Sequence, residues 1–198
     1  MNVEPSDESL MLAFQAGKQE AFEILVKRHQ HSVFNFIFRF IGNREEAEEL
    51  LQEVFVRIFK SVAEYSPVGK FKTWLFTVTR NLCVDHYRKK RIRKVQSLDE
   101  VQEDGETPRL EQVESKSVGP EVQSSANELE RVLEWALAQV SEDQREVFLL
   151  REKFGFKFEE IADMTKVSVN TVKSRMRYAL EGLKRAIETT KFKDLVRI

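Results

Sequence analysis

The stretch FEEIADMTKVSVNTVKSRMRYAL, Phe158 to Leu180, decides the fold. Its two halves each carry helical spacing, and the polar turn TKVS separates them. Ile161 and Val172 stand where two crossing helices pack, Ala162 is small where they must approach, and Ser168 occupies an N-cap position. This is the form of a helix-turn-helix. Lys166 stands where most such turns place Gly, so the spacing predicts a residue forced to positive φ at some cost.

The second helix continues to Arg185 with Val172, Met176, Leu180 and Leu183 as its apolar face and Lys173, Arg175, Arg177, Lys184 and Arg185 as its cations. Its outward tip offers Asn170, Thr171, Lys173, Ser174 and Arg177, donors suited to phosphates and to base edges in a major groove. A generic basic helix face is usually only solvated. Here the small residue, the turn and the polar tip coincide, which favours DNA.

Working outward, 198 residues suffice for one large domain or two small ones. The chain is 41% apolar and 33% charged, a balance suited to a helix-rich globular protein, and fifteen Phe predict cores built on that residue. No apolar run approaches about 18 residues, so no membrane insertion is expected. The opening MNVEPSDESL has neither a basic nor an apolar segment of a secretion signal. Cys83 is alone, which excludes an intrachain disulfide and suits a reducing cytoplasm. A net charge of −1 argues weakly against nucleic acid, but the charge is segregated. Cations crowd Lys70 to Lys94 and the chain after Asn170, while acid gathers between them and in the helix after Asn43.

The periodicity predicts a short helix from Ser6 to Ala16 and a longer one from Lys18 to Ile41, with Phe22, Leu25, His29, Phe36 and Phe40 inward and Gly42 as C-cap. Asn43 and Glu46 form a capping-box pair for the next helix. Its apolar stripe is Ala47, Leu50, Leu51, Val54, Phe55, Ile58, Phe59 and Val62. YSPVGK is a loop, and a fourth helix starts near Phe71 with Trp74, Leu75, Val78 and Leu82 inward. From Gln96 to Asn127 the apolar period is lost and acids outnumber bases, as in a flexible linker. Beyond it, one helix carries Leu129, Val132, Leu133, Ala136, Leu137 and Val140, and Ser141 with Gln144 caps the next, EDQREVFLLREKF. The expected fold is all-α, with two small helical domains (1–95 and 128–198) joined by a flexible acidic linker (96–127), the second domain holding the helix-turn-helix.

Four stretches in order resemble bacterial RNA polymerase sigma factors of the extracytoplasmic-function (ECF) type: EELLQEVFVRIFKS, FKTWLFTVTRNLCVDHYRKKR, SEDQREVFLLREKFGFKFEEIADM and VSVNTVKSRMRYALEGLKR. The resemblance implies a dissociable specificity subunit that directs core RNA polymerase to promoters and assists their melting. It implies as partners core polymerase, the duplex −35 element, the single-stranded −10 element and an anti-sigma factor. Polymerase would be met by Glu49, Gln52, Glu53 and Val56 on the acidic helix. The −10 element and its opened strand would fall to Lys70, Phe71, Lys72, Thr73, Trp74, Arg80, Asn81 and Arg88. Burial habits make Trp74 more a core residue than a stacking platform. The −35 duplex would be read by Ser168, Asn170, Thr171, Lys173, Ser174, Arg175, Arg177 and Tyr178. The acidic linker would imitate nucleic acid in a basic channel of the enzyme.

No enzyme reading is supported by the motifs. His29 and His31 point apart on a helix, and Cys83 with His86 is too few ligands for zinc, so neither metal nor cofactor is expected. An operator-binding regulator, with the first bundle as an effector or dimerisation domain, is the alternative. A partner-binding helical adaptor is a further one.

Overall fold

The computed structural model describes residues 4–66, 69–101 and 125–189, with side chains described outside 94–101 and 125–129. Eight α-helices are present in this part: α1 (Asp7–Gln15), α2 (Gln19–Ile41), α3 (Arg44–Lys60), α4 (Phe71–Val101), α5 (Ser125–Ala138), α6 (Glu142–Phe148), α7 (Phe158–Thr165) and α8 (Val169–Glu188). A short 3-10 turn, Val62–Glu64, follows α3. Helices α1 to α4 make one bundle and α5 to α8 a second, and no strand occurs among the described residues. The central part of the expected linker, 102–124, and the tail 190–198 lie outside the described residues. Helix α4 runs past the expected boundary to Val101, and α5 starts at Ser125. From Lys94 to Val101 there is neither Gly nor Pro to stop a helix.

Local chemistry sets most helix ends. Gly42 closes α2 at φ 78°, its N–H donating to Phe38 O, and Asn43 accepts from the Glu46 N–H at 3.0 Å to start α3. The rest of the expected capping box is not made. The Glu46 carboxylate instead reaches α4, 2.7 Å from His86 Nε2 and 2.6 Å from Lys90 Nζ. Its partial burial opposes ionisation, but these two partners win and hold the carboxyl below its ordinary value. At α6 the Ser141 side chain makes no cap bond, correcting that expectation, and the Ser141 carbonyl accepts the Arg145 N–H.

Two residues leave their expected faces. Phe59 is 51% exposed, its ring resting edge-on against Phe22 and tilted on Phe14, because α3 buries the narrower row Ala47, Leu50, Val54 and Ile58. Leu180 is 50% exposed, and the buried row of α8 is Val172, Met176, Ala179, Leu183 and Ala186. Ala179 lets α8 lie close to its neighbours, and Leu180, one residue on, is turned about 100° away.

The helix expected over EDQREVFLLREKF also differs from its expectation. After α6 the coil widens into a π-helical turn, Leu149–Lys153, and Gly155 follows at φ 73°. That turn delivers Phe154 and Phe156 to the first bundle. Phe154 lies 4.8 Å from Phe76 and 5.6 Å from Phe36, ring centre to ring centre, and Phe156 lies 5.2 Å from Phe76. The two bundles thus share one continuous apolar core.

Lys166 adopts φ 58°, ψ 36° at the end of α7, the left-handed conformation its position predicted. Lys166→Gly removes that strain and is expected to stabilise by up to about 1 kcal/mol, or roughly 2–4 °C in unfolding temperature. Lys166→Val is expected to lower it, since a β-branched residue tolerates this φ least. Thermal unfolding followed by circular dichroism checks both.

Candidate nucleic-acid interface

A cleft of about 510 Å³ opens at the start of α4, lined by Glu64, Tyr65, Ser66, Gly69, Lys70, Thr73, Trp74, Thr77 and Glu160. Trp74 is half-buried and forms a wall with Tyr65, their rings 5.2 Å apart and 54° inclined. Phe71 sits fully buried behind them, 5.9 Å from Trp74, and Phe76 is buried under the second bundle. Of the aromatic candidates, then, Trp74 faces the cleft while Phe71 supports it. The Tyr65 hydroxyl is buried and, among the described residues, has no hydrogen-bond partner. Burial and the nearby Glu8 and Asp7 carboxylates push its ionisation up, so it stays a neutral donor.

The polar candidates run from this cleft along α4. Lys70, Lys72, Asn81 and Arg88 are exposed, and Thr73 is half-buried on the cleft wall. Arg80 is turned toward the second bundle. Its guanidinium pairs side-on with Glu146 of α6, Nη2 lying 3.3 Å from Oε2, and also donates to Asn81 Oδ1 at 3.1 Å. Lys72 Nζ donates to the Phe154 carbonyl at 2.8 Å.

On α8, Ser168 caps the helix, accepting the Thr171 N–H at 3.1 Å and sharing a hydroxyl contact with Thr171 at 2.9 Å. Asn170, Lys173, Ser174, Arg177 and Tyr178 form the open face. Arg177 stacks 4.9 Å over the Tyr178 ring and donates to its hydroxyl at 3.1 Å. Arg175 leans the other way, 2.6 Å from Asp143 of α6, and serves the packing of its own bundle. Ile161 and Val172 are fully buried between α7 and α8. On α3, Glu49, Gln52, Glu53 and Val56 are all exposed on one side, Glu53 pairing with Arg57 at 2.6 Å.

An open cleft beside a row of cations, with a helix-turn-helix in the same chain, is the arrangement that a two-part surface for DNA requires. The sigma-70 region 2 family model matches residues 25–93 and the sigma-70 region 4 model residues 131–183. The chain is 34% identical over 187 residues to the ECF RNA polymerase sigma factor SigE of Mycolicibacterium smegmatis, covering 92% of this chain and 69% of that protein. The chain belongs to the ECF RNA polymerase sigma factors. It is 29% identical to the RNA polymerase sigma-H factor of Pseudomonas aeruginosa over 95% of this chain and 97% of that one. The sigma factor RpoE of Bartonella quintana, solved with the anti-sigma factor NepR, shares the fold at TM-score 0.63 and 24% identity, over 86% of this chain and 98% of that one. The protein is therefore a factor for promoter-directed transcription initiation, and the operator-regulator alternative is not favoured.

Sequence reading of this sigma factor missed the residues that hold the cleft. Glu8 Oε1 accepts the Phe71 N–H at 2.9 Å, capping α4 from a different helix. Gln15 Nε2 donates to the carbonyls of Val62, Ala63 and Tyr65 at 3.1–3.3 Å. Asp7 anchors α1 in turn, with His29 Nε2 2.7 Å and Arg28 Nη1 2.5 Å away. His29, set aside as a metal ligand, is thus a buried partner of Asp7. Cys83 is fully buried and burial pushes its thiol up, which leaves it unreactive. Neither Glu8 nor Gln15 stands out locally, because each partner lies about 50 or more residues away.

If Glu8 holds the mouth of the cleft, Glu8→Ala removes a charge-assisted cap. Amides in the first turn of α4 are expected to exchange about tenfold faster, with overall helicity unchanged. Glu8→Gln, which keeps an accepting oxygen, is expected to lose less. Hydrogen-exchange mass spectrometry reads both.

Proposed function

We propose that this sigma factor divides promoter recognition between its bundles. Residues 1–95 bind the polymerase clamp and the −10 element, residues 128–198 bind the −35 duplex, and 96–127 pass between them along the enzyme. The observation that carries this is the cleft walled by Trp74 and Tyr65, continuous with the cations of α4. Such a cleft suits one extruded base, and the cations suit the backbone of its strand. Opening costs roughly 1.4 kcal/mol of stacking per base-pair step, and the protein meets that cost by binding the opened strand better than the duplex. It acts by binding alone, in the cytoplasm, with no cofactor and no catalytic residue.

Glu49, Gln52, Glu53 and Val56 are the polymerase contact: α3 buries its apolar row inward and has only this side to offer a partner. Asn170, Lys173, Ser174, Arg177 and Tyr178 read the −35 element from the open face of α8. Ser168 and Thr171 set the helix end at the phosphates. An anti-sigma factor is the further partner, by likeness to the assembly in which the Bartonella quintana protein was solved.

Two experiments with bacterial core polymerase test these assignments. Arg177→Ala and Ser174→Ala are expected to weaken −35 binding more than binding to unrelated duplex. Lys184→Ala is expected to weaken both alike and flatten the salt dependence. Equal behaviour of all three would make α8 an electrostatic anchor only. For melting, Lys72→Ala with Asn81→Ala is expected to leave core and −35 binding near normal but form few open complexes. Permanganate footprinting of unpaired thymines reports this, and normal opening by the double variant would place base capture elsewhere.

A further inference from the structure

The cleft assigned to an extruded base is assembled from two stretches of chain. The turn after α3 supplies Glu64, Tyr65 and Ser66, and the chain entering α4 supplies Lys70, Thr73 and Trp74. Neither stretch is held by its own bonds alone. The first follows a 3-10 turn of three residues, Val62–Glu64, whose hydrogen bonds are poorer than those of an α-helix. The second starts after Lys70, whose ammonium only donates and cannot accept an amide as a Ser or Asp cap would.

Helix α1 supplies both of the partners that these stretches need. Glu8 and Gln15 are seven residues apart, two helical turns, and so lie on one side of it. Gln15 Nε2 donates to the Val62 carbonyl at 3.1 Å and to those of Ala63 and Tyr65 at 3.3 Å. Glu8 Oε1 accepts the Phe71 N–H at 2.9 Å, where a carboxylate also meets the positive end of α4. One residue earlier, the Lys70 carbonyl accepts the N–H groups of Thr73 at 3.0 Å and Trp74 at 3.3 Å, so this capped turn carries two cleft residues. Asp7 anchors α1 on His29, whose ring lies 5.4 Å from Phe71, the residue that backs Tyr65 and Trp74. The bonds therefore close on themselves around the cleft. All of α1 lies before the segment that the region 2 model matches, residues 25–93.

We infer that Gln15 and Glu8 are positioning residues for base capture, α1 being the frame that sets the Tyr65 and Trp74 walls at their spacing before DNA arrives. The inference rests on the assignment of this cleft to an extruded base. Its physical content is preorganisation. Walls that are already in place cost nothing to order when a base enters. Without the bonds from α1, only a fraction of molecules presents both walls at the 5.2 Å ring spacing. The apparent affinity for a base falls by that fraction. Phosphate contacts to the exposed cations of α4 do not depend on the spacing and keep their strength. Loss of the frame thus weakens the hold on bases and spares the hold on the backbone.

The test uses the full chain assembled with bacterial core polymerase and two fluorescent single strands. One is the non-template −10 strand of a promoter that the parent transcribes, and the other is the same strand with abasic sites throughout that segment. Fluorescence anisotropy reads both, and the parent is expected to prefer the strand that carries bases. Gln15→Leu keeps the size of the side chain and removes its donor. It is expected to bind the base-bearing strand about tenfold more weakly and the abasic strand within about twofold of the parent. Gln15→Lys returns a donor to the same carbonyls and is expected to stay within about twofold of the parent on both strands. Gln15 is exposed, so these variants keep the fold, which circular dichroism checks. Glu8→Ala is expected to show the same selective loss, and Glu8→Gln less of it. Equal loss on both strands, no loss on either, or a Gln15→Lys variant as weak as Gln15→Leu would overturn the inference. A parent with no preference for the base-bearing strand would overturn the assignment of the cleft instead, and that result is read without any variant.

Discussion

Arg145 carries a charge into the interior, and the arrangement of both bundles follows from how that charge is satisfied. Its Nε donates to the Leu137 carbonyl at 2.8 Å, in the last turn of α5, and its Nη1 to the Phe40 carbonyl at 2.6 Å, in the last turn of α2. The ends of helices present carbonyls without intrahelical partners and a partial negative charge, so one guanidinium answers two needs. Burial disfavours the charged form, yet a guanidinium does not give up its proton at cellular pH. The charge must therefore be matched where it lies. Because one carbonyl belongs to each bundle, this single side chain sets the register of α6 against both.

That register has consequences along the next ten residues. Glu146 follows directly and points at Arg80, where desolvation pushes its carboxyl up against the guanidinium that opposes the shift. The π-helical turn after α6 adds the extra residue that brings Phe154 round to Phe76. A regular helix through the same residues would rotate Phe154 away from it. Charge in the middle of α6 and an irregular turn at its end are thus coupled parts of one interface.

The segregated charge of the chain takes a different form in three dimensions than along the sequence. The acidic stretch between the bundles is the obvious counterpart to the cations of α4, yet its centre lies outside the described residues. The carboxylates that meet those cations are Glu146 of α6 and Glu160 of α7. These pairs join the two bundles through charge as Phe154 and Phe156 join them through apolar contact.

What the sequence by itself determined is local. The helices, the αL residue at Lys166, the caps at Asn43 and Ser168 and the packing pair Ile161 and Val172 depend on neighbours within one or two turns, and periodicity reports those directly. The exposure of most outward candidate residues was legible for the same reason, since a helix with one apolar face exposes the other. Where the pattern misled, the apolar stripe was wider than the contact: Phe59 and Leu180 lie at its margins, and neighbouring helices decided their rotation. Only the tertiary structure could decide the direction of Arg80 and Arg175, the capping of α4 by Glu8, and the sharing of one core by two bundles. These contacts join residues up to 118 positions apart (Phe36 and Phe154), or turn on which helix faces which, and no periodicity along a chain encodes a partner at that distance.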